Sequence, residues 1–270
     1  MLQTRIITAA LLLFGLLACL FWLPKLAWDV VMLLPLVVGL SEWGSLSGWS
    51  MKASWGYSLL GTLLTVVLEN NGFSVWMYVG SLILWLLIVP MWLAAGWRLT
   101  SSWWRVPLGL LVLSPLWAAL VELRAHGSWW VLLIMSVVWI ADSAAYFTGR
   151  WFGRHKLAPS ISPGKTWEGV LGAVIAVMVY CGAILAALYS QQVNPQTWVI
   201  PIILMAILML YLGILGDLFE SWIKRLATVK DSGVLLPGHG GMLDRIDALT
   251  STLPVAAFIL LHSDLLRSIA

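Results

Sequence analysis

The chain has 270 residues, of which 61% are hydrophobic and only 10% charged, with a formal net charge of +3. Its mean hydropathy is +0.95. Soluble domains carry about 25% charged residues, so 27 formal charges are too few to solvate a globule of this size, and disorder is excluded by the high apolar content. A polytopic helical membrane protein is the class that remains. Nineteen Trp suit a chain with many membrane interfaces. The small basic excess does not argue for a nucleic-acid partner. Cys19 and Cys181 lie inside apolar runs and suggest neither a disulfide framework nor a zinc site.

In chain order, the first apolar run (6–23) follows Arg5 and contains Leu16-Leu17-Ala18-Cys19, which resembles a lipoprotein cleavage box. The run continues past the cysteine, so it reads as a retained first span. Further spans are expected at 28–41, 55–68, 74–97, 106–121, 129–147, 169–189, 197–216 and 246–262, about nine in all. With the N-terminus cytoplasmic, twelve Lys and Arg fall on cytoplasmic segments and Lys25, Arg124 and Arg267 fall outside, as the positive-inside rule requires. The whole chain, 1–270, then forms one integral-membrane domain. Residues 1–125 act as a helical scaffold, and 129–270 carry catalytic helices and cytoplasmic loops. Seven of the twelve acidic residues cluster around two loops of that second part.

Asp142 sits near the end of the 129–147 span, in a run of small residues (Ala141-Asp142-Ser143-Ala144-Ala145) that permits close helix contact. Ser162-Pro163-Gly164-Lys165 then makes a turn before a restarted helix, where Lys165 can meet a phosphate at the helix N-terminus or serve as a positive-inside anchor. Arg150, Arg154 and Lys156 suit anionic headgroups. If the 197–216 helix persists, Asp217, Glu220, Ser221 and Lys224 share one face, with Arg225 beside them. Carboxylates at that depth are costly and normally functional. The alternative is a self-neutralising helix end.

Lys230-Asp231-Ser232-Gly233 and Pro237-Gly238-His239-Gly240-Gly241 cannot form regular helix, and such a loop can aim backbone N–H groups at an anion. Asp244-Arg245-Ile246-Asp247 opens the last helix, where an acidic pair also fits ordinary capping. Carboxylates with Lys and Arg beside a Gly-rich turn suit a hard divalent cation and substrate phosphates. A lone His239 is poor for zinc.

Residues 221–247, SWIKRLATVKDSGVLLPGHGGMLDRID, resemble the full signature of the phosphatidate cytidylyltransferase (CDP-diacylglycerol synthase) family. The upstream ADSAAYFTGRWFGRHKLAPSISPGKTWEG and GDLFES are similar to it as well, so the strong resemblance covers about 139–251. The first half is similar only in hydrophobic layout and in Glu42-Trp43.

The resemblance implies transfer of CMP from CTP to phosphatidic acid at the cytoplasmic face of the inner membrane. It also implies Mg²⁺ dependence, a K⁺ ion near the Mg²⁺, and a helical membrane homodimer. It places the metal on Asp217 and Asp244, with Asp142 standing behind them or binding a monovalent ion. Asp247 and Asp231 would support that shell or hold basic side chains. Lys224, Arg225, Lys230 and Arg245 would neutralise phosphates. Lys165 and Ser162 would help bind the nucleotide or lipid phosphate, with Ser221, Gly240 and Gly241 in the same substrate site. His239 either donates to a phosphate oxygen or shapes the turn.

Rival readings are a CTP-dependent lipid kinase and an ion-coupled transporter. A transporter would be expected to show repeated or broken helices at the midplane, whereas the charges here collect at one face. The Asp-Gly-x-x-Ala-Arg pattern of CDP-alcohol phosphotransferases is not found in the chain.

Overall fold

A computed structural model describes residues 2–97, 102–190, 196–233, 235 and 240–262. Each apolar run becomes helix. The helices are α1 (Leu2–Trp22), α2 (Lys25–Val31), α3 (Leu33–Leu46), α4 (Met51–Asn70), α5 (Ser74–Ile83), α6 (Val89–Ala95), α7 (Ser102–His126), α8 (Ser128–Phe152), α9 (Trp167–Ser190), α10 (Gln196–Leu226) and α11 (Leu243–His262). A π-helical segment, Leu84–Ile88, joins α5 to α6, so the two run on as one span. Likewise α2 and α3 make one span, Lys25–Leu46.

Among the described residues, seven helices are long and apolar enough to cross a membrane. The first apolar run qualifies only as a shorter helix, Ala10–Trp22, and α4 does not reach the required hydropathy. The reason lies in which face of α4 is buried. Ser54, Ser58, Thr62 and Thr65 turn inward, while Leu59, Leu60, Leu63 and Leu64 are exposed. Ser58 Oγ donates to the Val37 carbonyl at 2.5 Å, and Thr65 Oγ1 lies 2.6 Å from Ser114 Oγ. Small and hydroxylated residues inside with leucines outside is the pattern of a helix facing lipid.

Helices α7 and α11 form the buried centre, with Ala118, Ala119, Leu123, Leu253, Val255 and Ala256 sealed from solvent. Around them α3 packs along α4, α8 along α9, and α10 along α11. Long-range bonds fix which helix ends lie together. Trp43 Nε1 donates to the Arg105 carbonyl (2.7 Å), Arg105 to Leu46 (3.1 Å) and Tyr57 to Val106 (2.8 Å). At the other end Trp28 donates to Leu120, Arg124 to Leu23 and Ser128 to Leu20.

Two features amend the sequence reading. The all-α class gains a two-stranded antiparallel hairpin, β1 (Lys156–Ala158) and β2 (Ser162–Thr166), where a plain turn was expected. The Thr166 hydroxyl accepts from Gly169 N (3.1 Å) and caps α9. The second feature is the length of α10, which does not stop at residue 216 but runs to Leu226. At about 1.5 Å per residue, a hydrocarbon core of roughly 30 Å entered at Trp198 is left near Asp217. The last turns therefore carry their charges beyond it. Gly216 lets α10 touch α11 at this level: a Cβ there would sit 2.6 Å from the Asp247 carbonyl.

Candidate active site

A cavity of about 600 Å³ opens between α8, α9, α10, the start of α11 and the hairpin. Asp142 enters it from α8, Ser162 and Lys165 from β2, Asp217 from α10, and Asp244 and Asp247 from α11. Its remaining wall is largely apolar and includes Val138, Ala141, Val170, Met209 and Ile214. Seven of the residues singled out in the sequence, those six and Arg150, thus line one space, at the end of the bundle where α8 and α10 finish and α9 and α11 begin.

Lys165 Nζ lies 2.7 Å from Asp217 Oδ2, and Ser221 Oγ donates to Asp217 Oδ1 at 3.3 Å. One turn on, Lys224 Nζ meets Glu220 Oε2 and Asp244 Oδ1, each at 2.5 Å. These three side chains are only 11%, 7% and 8% exposed. Asp244 Oδ2 accepts from Ser232 N (2.9 Å), Ser232 Oγ (2.9 Å) and Gly241 N (2.8 Å). The Gly-rich loop therefore does aim N–H groups at an anion, and that anion is Asp244. Gly240 has φ +77°, and a Cβ there would lie 2.6 Å from Asp244 Oδ2. Asp247 Oδ1 accepts from Ala248 N at 2.8 Å.

Other candidates fall elsewhere. Lys230 and Asp231 are exposed on the loop, and Arg245 is exposed on the first turn of α11. Arg225 donates to the Val229 carbonyl (3.2 Å) and faces a separate cavity of about 750 Å³ that also touches Arg105 and Trp222. His239 lies outside the described residues. Sequence reasoning assigned no role to Glu42 or Ser232, which belong to this network. Glu42 accepts from Ser232 Oγ (2.9 Å), Met242 N (2.8 Å) and Leu243 N (2.9 Å). The available signal was a lone carboxylate inside an apolar helix.

The donor set can be tested against a hard cation. Among the described residues, six carboxylates (Asp142, Asp217, Asp244, Asp247, Glu220 and Glu42) stand with three cations, Lys165, Lys224 and Arg150, in the cavity and the network behind it, a local excess of negative charge. Among the described residues no three His, Cys, Asp or Glu side chains converge into a ready cage. Mg²⁺ commonly takes one or two carboxylates and completes its shell with water and substrate phosphates. The residues fit a cation shared with a phosphorylated ligand, and do not form a closed structural metal site.

Fold and site together define a polytopic helical membrane protein with an acidic, lysine-bearing cavity at one end of its bundle. The chain belongs to the cytidylyltransferase family, whose pattern it matches over residues 3–263. It is 36% identical to the phosphatidate cytidylyltransferase of Brucella suis, an alignment covering 97% of this chain and 92% of that protein. The proteins of the same name from Pseudomonas aeruginosa and Haemophilus influenzae are 42% and 44% identical. In those two alignments the chain spans about half of each relative, 58% and 46% of its length.

Proposed function

We propose that the protein transfers the cytidylyl group of CTP to phosphatidate, forming CDP-diacylglycerol and pyrophosphate at the cytoplasmic face of the inner membrane. The observation that carries this reading is the cavity itself. Lys165 and four carboxylates stand against an apolar wall, in a chain of the cytidylyltransferase family.

A lipid-phosphate oxygen attacks the α-phosphorus of CTP, and the bond to the bridging oxygen of the leaving pyrophosphate breaks. A phosphate monoester has its second pKa at about 6, so the attacking oxygen is already ionised near neutrality and no strong general base is needed. The protein's task is to hold two mutually repelling anions in line and to stabilise charge on the leaving group. The apolar wall suits the glyceride part of the lipid. Lys165, on a strand at the cavity mouth, is a cation for the incoming phosphates, with Ser162 as a hydroxyl partner. Lys224 sits behind Asp244 and fixes its orientation, and Lys230, Arg225 and Arg245 add positive charge around the loop.

Mg²⁺, when bound, supplies charge neutralisation of the triphosphate. Asp217 and Asp244 would hold it, with Asp247 in support. Asp142 is the carboxylate we assign to a companion K⁺. A homodimer is the proposed assembly.

Purified protein in lipid–detergent micelles is expected to release pyrophosphate only when CTP, phosphatidate and Mg²⁺ are all present, with diacylglycerol unable to replace phosphatidate. Pyrophosphate release that ignores phosphatidate, or release of CDP in its place, would overturn the reading, the second result pointing to a lipid kinase.

A further inference from the structure

The buried carboxylate of Glu42 lies in α3, about 190 residues before the loop it touches. It is 8% exposed, and its described contacts go to one place, the loop and the start of α11. Taking a carboxylate out of water is expensive unless its lone pairs are filled. Here they are filled by the N–H groups of Met242 and Leu243, which stand where a helix start leaves N–H groups without internal acceptors. The fit is tight, since a Cβ on Gly233 or Gly241 would lie 2.6 or 2.5 Å from Glu42 Oε1.

The third partner matters most. Ser232 Oγ is 2.9 Å from Glu42 Oε2 and 2.9 Å from Asp244 Oδ2. A hydroxyl has one proton to donate, so it serves the two carboxylates in turn and ties them together. Asp244 is in turn joined to Lys224.

We infer that Glu42 is a positioning residue of the active site, acting through Ser232 and the start of α11 to set Asp244 and the loop against the cavity. The inference rests on the proposed cytidylyl transfer. It gives the N-terminal half a part in the chemistry beyond scaffold. Val138, Ala141, Val170 and Ala173, the apolar wall on α8 and α9, lie outside this network. Loosening the loop should therefore affect the nucleotide more than the lipid.

The test uses the full chain and compares KM for CTP, KM for phosphatidate and Tm. In Glu42→Gln the amide N–H₂ must face a donor, so one of the loop's bonds is lost while the shape is kept. KM for CTP is expected to rise about 10-fold or more, within the about 10–100-fold seen when groups orienting a site are altered. KM for phosphatidate should stay near wild type. Ser232→Ala, which leaves Glu42 and its two N–H bonds in place, should show the same selective rise even if Glu42→Gln fails to fold. The double variant should be no worse than the more damaged single variant. Unchanged constants in Ser232→Ala, or turnover that falls only with the folded fraction while both KM values hold, would overturn the inference. An inactive wild type would instead end the functional reading.

Discussion

Lys224→Met is expected to abolish cytidylyl transfer and to lower stability by about 3–5 kcal/mol, the usual cost of removing one partner of a buried ion pair. Lys224 is held between Glu220 and Asp244, all three nearly sealed from solvent. Apart from the Lys224 ammonium, neither carboxylate oxygen of Glu220 has a hydrogen-bond donor among the described residues, so Lys224 is its main compensation. Removing the ammonium leaves two carboxylates repelling each other where water cannot screen them. Adding Glu220→Gln should recover much of the lost stability and none of the activity, because Asp244 still lacks its cation. Thermal unfolding in detergent, run beside pyrophosphate release, separates the two effects. A Lys224→Met protein that melts like wild type would contradict the account.

Asp217→Asn is expected to separate the two effects, with a large loss of rate and little loss of stability. Asp217 is 34% exposed in its cavity, and its pairing with Lys165 is open enough that solvent screens it. Pairs of that kind contribute about 0–1 kcal/mol. Asn keeps the shape and can still accept from Ser221. It cannot supply the negative charge that would hold a cation and set Lys165. Removing a preorganised electrostatic group of this type typically costs about 10²–10³-fold in turnover. Pyrophosphate release from wild-type and Asp217→Asn protein at matched folded concentration measures it. Activity within about threefold of wild type would remove Asp217 from the proposed metal site.

What the sequence made legible was whatever depends on one helix at a time. All nine apolar runs are helical, and the persistence of α10 puts Asp217, Ser221 and Lys224 on one face as their spacing predicts. A hydrophobic run does not mark where a helix ends, however, and α10 continues ten residues past the apolar span that closes at 216, the persistence on which its polar face depended. The β hairpin was hidden because strands of three and five residues are too short for alternation to register, and β2 contains Pro163 and Gly164. The loop's N–H groups were foreseen, but their acceptor was not. That acceptor is Asp244, which takes a local bond from Gly241 N three residues before it and is brought beneath Ser232 only by the return of the loop. Glu42 lay furthest from view. Nothing local relates it to a loop 190 residues away, and only its presence in an apolar helix and the Glu42-Trp43 resemblance set it apart.

The central claim is that cytidine ends up on the lipid. Wild-type protein given phosphatidate and CTP labelled separately at the α- and γ-phosphates tests it directly. The account predicts α-label in the lipid product and γ-label in pyrophosphate. Lipid carrying γ-label, with α-label left in CDP, would contradict it.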